Sequence, residues 1–404
     1  MNNYDYLKGF VTRKLGEKTE LIKMQASIDA GSSETRIHTW SNNPQSGHIN
    51  SVDSAYSIVT ESISHINSQS DTLYDNLEIR MTDITDDKVD KVFEDITIVK
   101  GGLFEDLRLP AAKTSSNIGK GNQDTTYINA IANLAIRIYT MSVSRDINPV
   151  CVLVELSMAL PQEDIISAKR QEEIKEKLHG YYKVSLPRMD FNVEIAISDE
   201  TIFLFDEAQA ALGYWKVSNK VDTSKYNGVL IIDAGGRSVD LSLMLKGRVI
   251  SKGSYTGKFG GQKFVDLIID KYINDTGNDM PSKDMIYNAL DTGMLQDGNS
   301  LIDITKYIGS AKEEITKSIM SDIDSLLDMN EVRMNQLNLV VCAGRLMGES
   351  HNPSTSVPSM STYIEREVKK ISPNTMVGQI DDVNALVKGL SLARYAYDKK
   401  NAKK

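Results

Sequence analysis

Apolar and polar residues alternate with a period of two in some stretches and recur at helical spacing in others. Gln25–Trp40 alternates on both sides of a short Asp-Ala-Gly turn, which predicts strand, turn, strand. Gly228–Leu245 repeats that layout. Leu77–Met81, Ile96–Val99, Val150–Leu160 and Phe191–Ile197 read as further strands. Gln336–Ala343 reads as a strand running into a glycine turn. Helical spacing appears in Ala55–Asn67 (Ile58, Val59, Ile63, Ile66) and Asp124–Ser142 (Ile128, Ile131, Leu134, Ala135, Ile138). It recurs in Ser167–His179, Phe264–Tyr272, Ile302–Met329 and Val383–Tyr397. Thr201–Tyr214 predicts a strand end, a turn and a helix. Met1–Lys23 is a polar lead-in with a short helix ending at Gly16. Ser41–Ser54, Gly293–Asn299 and Ser350–Ser361 read as loops. Strands and helices intermix, so the fold class is α/β. The polar stretch Ser218–Asn227 marks the main domain boundary.

Composition narrows the function classes. The chain has 404 residues, 41 % hydrophobic and 25 % charged, enough to bury a sizeable core and not the profile of a disordered chain. Its net charge of −9 lacks the basic field of a nucleic-acid binder, so no direct DNA binding is expected. Cys151 and Cys342 sit in apolar runs without metal-ligand spacing, which predicts buried thiols and a cytoplasmic setting. The N-terminus has no apolar signal core. The longest apolar run, Val150–Leu160, is interrupted by Glu155, so no membrane association is expected. The basic Lys399–Lys404 reads as a solvated helix end.

The most informative pattern is an echo. Ile28-Asp29-Ala30-Gly31 recurs as Ile232-Asp233-Ala234-Gly235, each time between two strands. Ser32-Ser33-Glu34-Thr35 follows the first and Gly236-Arg237-Ser238-Val239 the second. Glycine and serine let turn N–H groups approach phosphate oxygens, and Ser32, Ser33 and Ser238 add hydroxyl donors. An aspartate at the strand end suits a hydrated Mg²⁺ that neutralises the phosphates. Two such hairpins would grip one triphosphate.

On these residues the chain resembles the actin-like ATPase superfamily from Gln25 to Tyr397. The resemblance implies two related domains with a duplicated βββαβαβα core and a nucleotide cleft between them. Residues 25–222, rejoined by 383–397, would form the first domain and 223–382 the second, with an extension at 1–24 and a basic tail at 398–404. The phosphate loops would be Asp29-Ala-Gly31-Ser32-Ser33 and Asp233-Ala-Gly235-Gly236-Arg237-Ser238, with Arg36 reaching the phosphates. Phe205–Tyr214 resembles the first connecting segment, where Glu207, or failing it Gln209, would orient the attacking water. Ala343-Gly344-Arg345 resembles the adenosine motif. Arg237 and Arg345 depart from that pattern, as does Ala343. Lys312, with Glu313 and Lys317, is either an adenine contact or part of a solvated helix face. Gly389 would mark a close helix crossing.

Within the superfamily the charged helix Lys169–Gly180 and the glycine-rich Gly253–Phe264 resemble bacterial ParM-like plasmid-segregation actins. That resemblance implies ATP (or GTP) hydrolysis with Mg²⁺ coupled to filament assembly, Asp29 and Asp233 at the metal and Glu207 at the water. The implied partners are further copies of the chain and a small DNA-binding adaptor. Residues 41–100 and the lead-in align with nothing and are candidate filament surfaces. Two alternatives share the fold. A small-molecule kinase would need a catalytic aspartate, for which no clear residue stands out. A non-polymerising adaptor of the cell-division or pilus type would need an amphipathic membrane helix.

Overall fold

The computed structural model describes the chain except residues 1–20, 32–33, 41–42, 61–72, 74–76, 87, 89, 108–109, 113–119, 147–149, 166, 223–224, 237, 258, 348–356 and 403–404. The chain forms two compact units. The first is Met1–Gly213 with Leu386–Lys404, and the second is Tyr214–Ala385.

Among the described residues, nine strands make one mixed sheet in the first unit: β1 (Leu21–Ala30), β2 (Glu34–Trp40), β3 (His48–Asp53), β4 (Ser57–Val59), β5 (Leu77–Asp83), β6 (Asp95–Lys100), β7 (Cys151–Leu160), β8 (Gly180–Leu186) and β9 (Phe191–Asp206). Their order is β3-β2-β1-β7-β9-β8-β5-β6-β4. The helices are α1 (Gly101–Asp106), α2 (Asp124–Arg145), α3 (Gln162–Ile165), α4 (Ala168–Leu178) and the start of α5 (Glu207–Asn219). The second unit holds β10 (Gly228–Ala234), β11 (Val239–Leu245), β12 (Arg248–Gly257), α6 (Gly261–Thr276), α7 (Lys283–Ala289), β13 (Met294–Asp297), β14 (Ser300–Asp303), α8 (Thr305–Met329), β15 (Leu339–Ala343), α9 (Met360–Ile371) and β16 (Met376–Gln379). Its main sheet runs β12-β11-β10-β15-β16. The last helix, α10 (Ala385–Asn401), belongs almost entirely to the first unit.

The echo in the sequence is an echo in topology. In the first unit β1 pairs antiparallel with β2, β2 antiparallel with β3, and β1 runs parallel to β7, which runs parallel to β9. In the second, β10 pairs antiparallel with β11, β11 antiparallel with β12, and β10 runs parallel to β15, which runs parallel to β16. The fold is α/β and duplicated, as the sequence predicts. Strands such as β7 (Cys-Val-Leu-Val-Glu-Leu) are apolar on both faces because parallel strands are covered on both sides. Helix α2 is buried without a break from Thr126 to Ile138: its apolar residues pack into the core, and the polar Asn129, Asn133 and Arg137 among them are hydrogen-bonded. Ile28, Leu156, Ile131 and Leu134 anchor the first core, and Leu230, Ile232, Ile315 and Ile319 the second. Each such side chain contributes about 1.5–3 kcal/mol. Cys151 and Cys342 are free and fully buried, and burial pushes both thiols up to about 12.

Three expectations are corrected. The Ser41–Ser54 loop contains β3, a polar edge strand whose pairing with β2 replaces the alternation that a half-buried strand would show. The expected helix over Ala55–Asn67 begins as β4, because pairing of Ser57–Val59 with β6 outweighs the helical spacing of its first apolar residues. The remainder of that helix lies mostly outside the described residues, as does nearly all of the lead-in. Gly293–Asn299 holds β13, which pairs with β14 across a turn at Gly298, φ +57°. The long helix expected over Ile302–Met329 is a single helix, α8, that starts at Thr305 after β14. Of the expected loop Ser350–Ser361, residues 350–356 lie outside the described residues, and α9 begins inside its bounds at Met360.

Helix α10 closes the first unit. A Cβ on Gly389 would fall 2.0 Å from the Ala210 carbonyl oxygen, so α10 meets α5 backbone to backbone at the crossing expected there. Further along, the Ser391 hydroxyl makes a 2.7 Å hydrogen bond with His38 Nδ1 and lies 3.0 Å from Ser27 Oγ. Burial, then Lys388, Arg137 and His48, lowers the His38 imidazole to about 4. The cation is therefore disfavoured in the folded state. Its stability contribution is complete above pH 6.5 and is lost as pH falls towards 4, by up to about 3 kcal/mol. Urea titrations at pH 7, 5.5 and 4 are expected to show this acid limb, and His38→Asn to flatten it.

Candidate functional site

The site is built from strand ends. Asp29 is the penultimate residue of β1 and stands opposite Arg36 on β2. Asp233 is the penultimate residue of β10 and stands opposite Asp240 on β11, the same register in the second unit. A strand end exposes backbone groups that the ladder no longer uses, and it delivers them together with one fixed side chain.

In the first unit five charged side chains converge. Arg36 lies 3.7 Å from Asp29 Oδ2 and pairs with Glu34. Lys120 Nζ lies 3.8 Å from Asp29 Oδ1 and pairs closely with Glu207. Glu207 is the first residue of α5. The Asp206 carboxylate accepts the Gln209 backbone N–H at 2.9 Å, which satisfies one of the helix's opening donors and fixes Glu207 in place. Burial raises Asp206 above the usual carboxylate range, against the pull of the Gln209 and Ala208 N–H groups. Gln209 is exposed, so Glu207 is the one of the two that reaches the cluster.

Lys120 carries no signal in the sequence, because it lies in an unpatterned glycine-containing stretch. Its position is nevertheless fixed. Gly121 donates its N–H to Asp164 Oδ2 at 2.9 Å, and its carbonyl accepts the Tyr127 hydroxyl at 2.6 Å. Replacing Lys120 leaves the Asp29 and Glu207 carboxylates facing each other. A double-mutant cycle of Lys120→Met and Glu207→Gln is expected to show a coupling of about 1 kcal/mol in the thermal unfolding of the nucleotide-free protein.

The Asp29 Oδ1 atom is buried and makes no hydrogen bond. A buried carboxylate oxygen of this kind fits a hydrated magnesium ion, which takes oxygen ligands and keeps several waters. Gly31 is required by the turn, since a Cβ would fall 2.6 Å from the Glu34 carbonyl oxygen. Ser32 and Ser33 lie outside the described residues.

The second unit builds its turn differently. The Gly235 N–H donates to the Ser238 carbonyl at 2.9 Å. The Gly235 and Gly236 carbonyls accept the Gly261 and Gln262 N–H groups at 3.0 and 2.8 Å, so the turn itself caps α6. The Ser238 hydroxyl donates to Asp240 Oδ2 at 3.0 Å, and Thr256 donates to Asp240 Oδ1 at 2.7 Å. The single hydroxyl proton expected for phosphate is thus directed at Asp240. Arg237 lies outside the described residues. Asp233 also pairs with Ala343, the last residue of β15. Gly344 follows at φ +90°, where a Cβ would meet Asp233 Oδ1 at 2.4 Å and the Ala234 carbonyl oxygen at 2.5 Å. The glycine thereby joins the two motifs of this unit. Arg345 is exposed.

Lys312 is buried, not on a solvated face, while Glu313 and Lys317 are exposed. Its ammonium donates to the Pro358 carbonyl at 2.7 Å, and burial lowers it to about 8.

No family model matches the sequence, and no curated protein matches it. Solved structures do. The actin-like protein Alp7A superimposes with a TM-score of 0.66 at 15 % identity, covering 95 % of this chain and 98 % of that one. Bacillus thuringiensis ParM with ATP gives 0.60 at 11 %, covering 93 % and 99 %. A 15-stranded ParM filament from Clostridium botulinum gives 0.57 at 16 %, covering 93 % and 99 %. The chain therefore has an actin-like fold. Within that class the fold is of the ParM type.

Proposed function

We propose that this chain is a nucleoside triphosphatase whose hydrolysis cycle controls its assembly into filaments, serving plasmid DNA segregation through a small DNA-binding adaptor. The observation that carries the reading is the convergence of Asp29, Arg36, Lys120 and Glu207 beside the Gly31 turn. The ParM-type fold supports it, since solved proteins of that fold include one with ATP and one in a filament.

The reaction is nucleoside triphosphate plus water to diphosphate plus phosphate. Phosphoryl transfer needs positioning and charge stabilisation more than covalent chemistry, and the cluster supplies both. Glu207 orients the attacking water. Arg36 and Lys120 offset charge on the phosphate oxygens. Gly31, Ser32 and Ser33 in one unit, and Gly235, Gly236, Arg237 and Ser238 in the other, present the phosphate-binding turns. Asp29 and Asp233 are each assigned to magnesium-bound water at the turn of their own unit. Magnesium, when bound, neutralises phosphate charge. Ala343, Gly344, Arg345 and Lys312 are assigned to the nucleoside. ATP is the preferred nucleotide of this reading, with GTP its competitor. Among the described residues no helix is long and apolar enough to cross a membrane.

Head-to-tail contacts that do not close give filaments. A γ-phosphate present before hydrolysis and absent after it is the switch that makes them dynamic. The test is phosphate release with Mg-ATP and Mg-GTP, with and without EDTA. Magnesium-dependent release supports the reading. Nucleotide binding without release supports the non-hydrolysing adaptor instead.

A further inference from the structure

A buried polar network leads away from the phosphate turn of the first unit into the core, and nothing in the hydrolysis reaction uses it. Ser54 follows β3 and is 3 % exposed. Its hydroxyl donates to the Gly31 carbonyl at 2.6 Å and lies 3.0 Å from the hydroxyl of Thr35, the β2 residue across the turn. The Ser54 carbonyl accepts the Asn129 Nδ2 of α2 at 3.0 Å. The Asn129 Oδ1 accepts the ammonium of Lys100 at the end of β6. Lys100 is fully buried, with its ammonium 5.6 Å from the centre of the Tyr56 ring. Burial lowers it to about 7, against the pull of Asp53.

A buried lysine is costly, so a fold that keeps one gains something from its placement. Here the chain Lys100–Asn129–Ser54 ends on one backbone atom, the carbonyl oxygen that opens the phosphate turn. The peptide unit is planar, so fixing that oxygen fixes the orientation of the whole plane. A turn that presents N–H groups to phosphate depends on that orientation, and rigid support of this sort lowers the cost of ordering the turn when nucleotide binds.

We propose that Ser54 is a positioning residue for the first phosphate turn, acting through the Gly31 carbonyl, with Thr35, Asn129 and Lys100 holding the serine in place. This rests on the nucleotide reading of the same turn. It differs from a packing role in what it predicts. A packing residue, when truncated, lowers stability. A positioning residue weakens the grip on phosphate while the nucleotide-free fold stays intact.

The experiment titrates the full chain with a fluorescent ATP analogue and Mg²⁺, and follows thermal unfolding without nucleotide. Ser54→Ala is expected to weaken binding about tenfold and to raise KM with kcat within about twofold. Ser54→Cys, a near-isosteric weaker donor, is expected to fall between. Thr35→Val reaches the same hydroxyl from the other side and is expected to weaken binding about threefold. Variants that bind like wild type, or that lose binding only in proportion to lost thermal stability, overturn the proposal. If wild type binds no nucleotide, the reading of the turn fails and the proposal fails with it. If wild type binds and Ser54→Ala binds equally, the proposal alone fails.

Discussion

Glu207→Ala lowers phosphate release about a hundred- to a thousand-fold and leaves Mg-ATP binding within about threefold of wild type. The magnitude is that of removing a group that places or deprotonates an attacking water. The site explains why the effect falls on turnover. Glu207 is held at the start of α5 by the Asp206 cap, and its carboxylate pairs with Lys120. Its removal leaves the phosphate-binding backbone and Asp29 where they are. Steady-state phosphate release and nucleotide titration on the same preparation separate the two quantities. Equal losses in binding and turnover would place Glu207 in the grip and not at the water.

Gly344→Ala carries the second large effect, on unfolding and on binding together. Two penalties combine at this residue. An L side chain at φ +90° is strained, at about 1–3 kcal/mol. The new carbon would also meet Asp233 Oδ1 at 2.4 Å and the Ala234 backbone at 2.5 and 2.7 Å. The Asp233 carboxylate can be pushed aside but the Ala234 backbone cannot, so β10 and β15 must part. A destabilisation of about 3 kcal/mol or more is expected, with nucleotide affinity falling as Asp233 is displaced. Gly247→Ala is the control. It has φ +76° but nothing within 4 Å of its Cβ, so it isolates the backbone strain. Chemical denaturation of the two variants side by side gives the difference. Equal costs would mean that β15 does not press on Asp233.

The duplication was legible because each half opens with an apolar strand, an aspartate and a glycine, and these have few other uses in that order. The stripe of α2 was legible for the ordinary reason that its apolar residues repeat with the helix. What the sequence hid has physical causes. Strand β3 is polar because it lies at a sheet edge, so it lacks an alternating face. Lys120 works through a position fixed by Asp164 and Tyr127, which are far from it in the chain or silent in pattern. Lys312 reads as solvated because lysine usually is. Only the packing of α8 beside Pro358 places its ammonium inside. Ser238 carries a hydroxyl suited to phosphate, and Asp240, two residues further on, accepts its hydrogen bond.

Sedimentation with light scattering, in Mg-ATP, Mg-GTP or no nucleotide, tests the central claim most directly. The account predicts that the chain pellets only with nucleotide and that the pellet disperses as phosphate appears, while Glu207→Ala pellets and stays assembled. A chain that binds nucleotide yet never pellets, at any concentration or with either nucleotide, contradicts it.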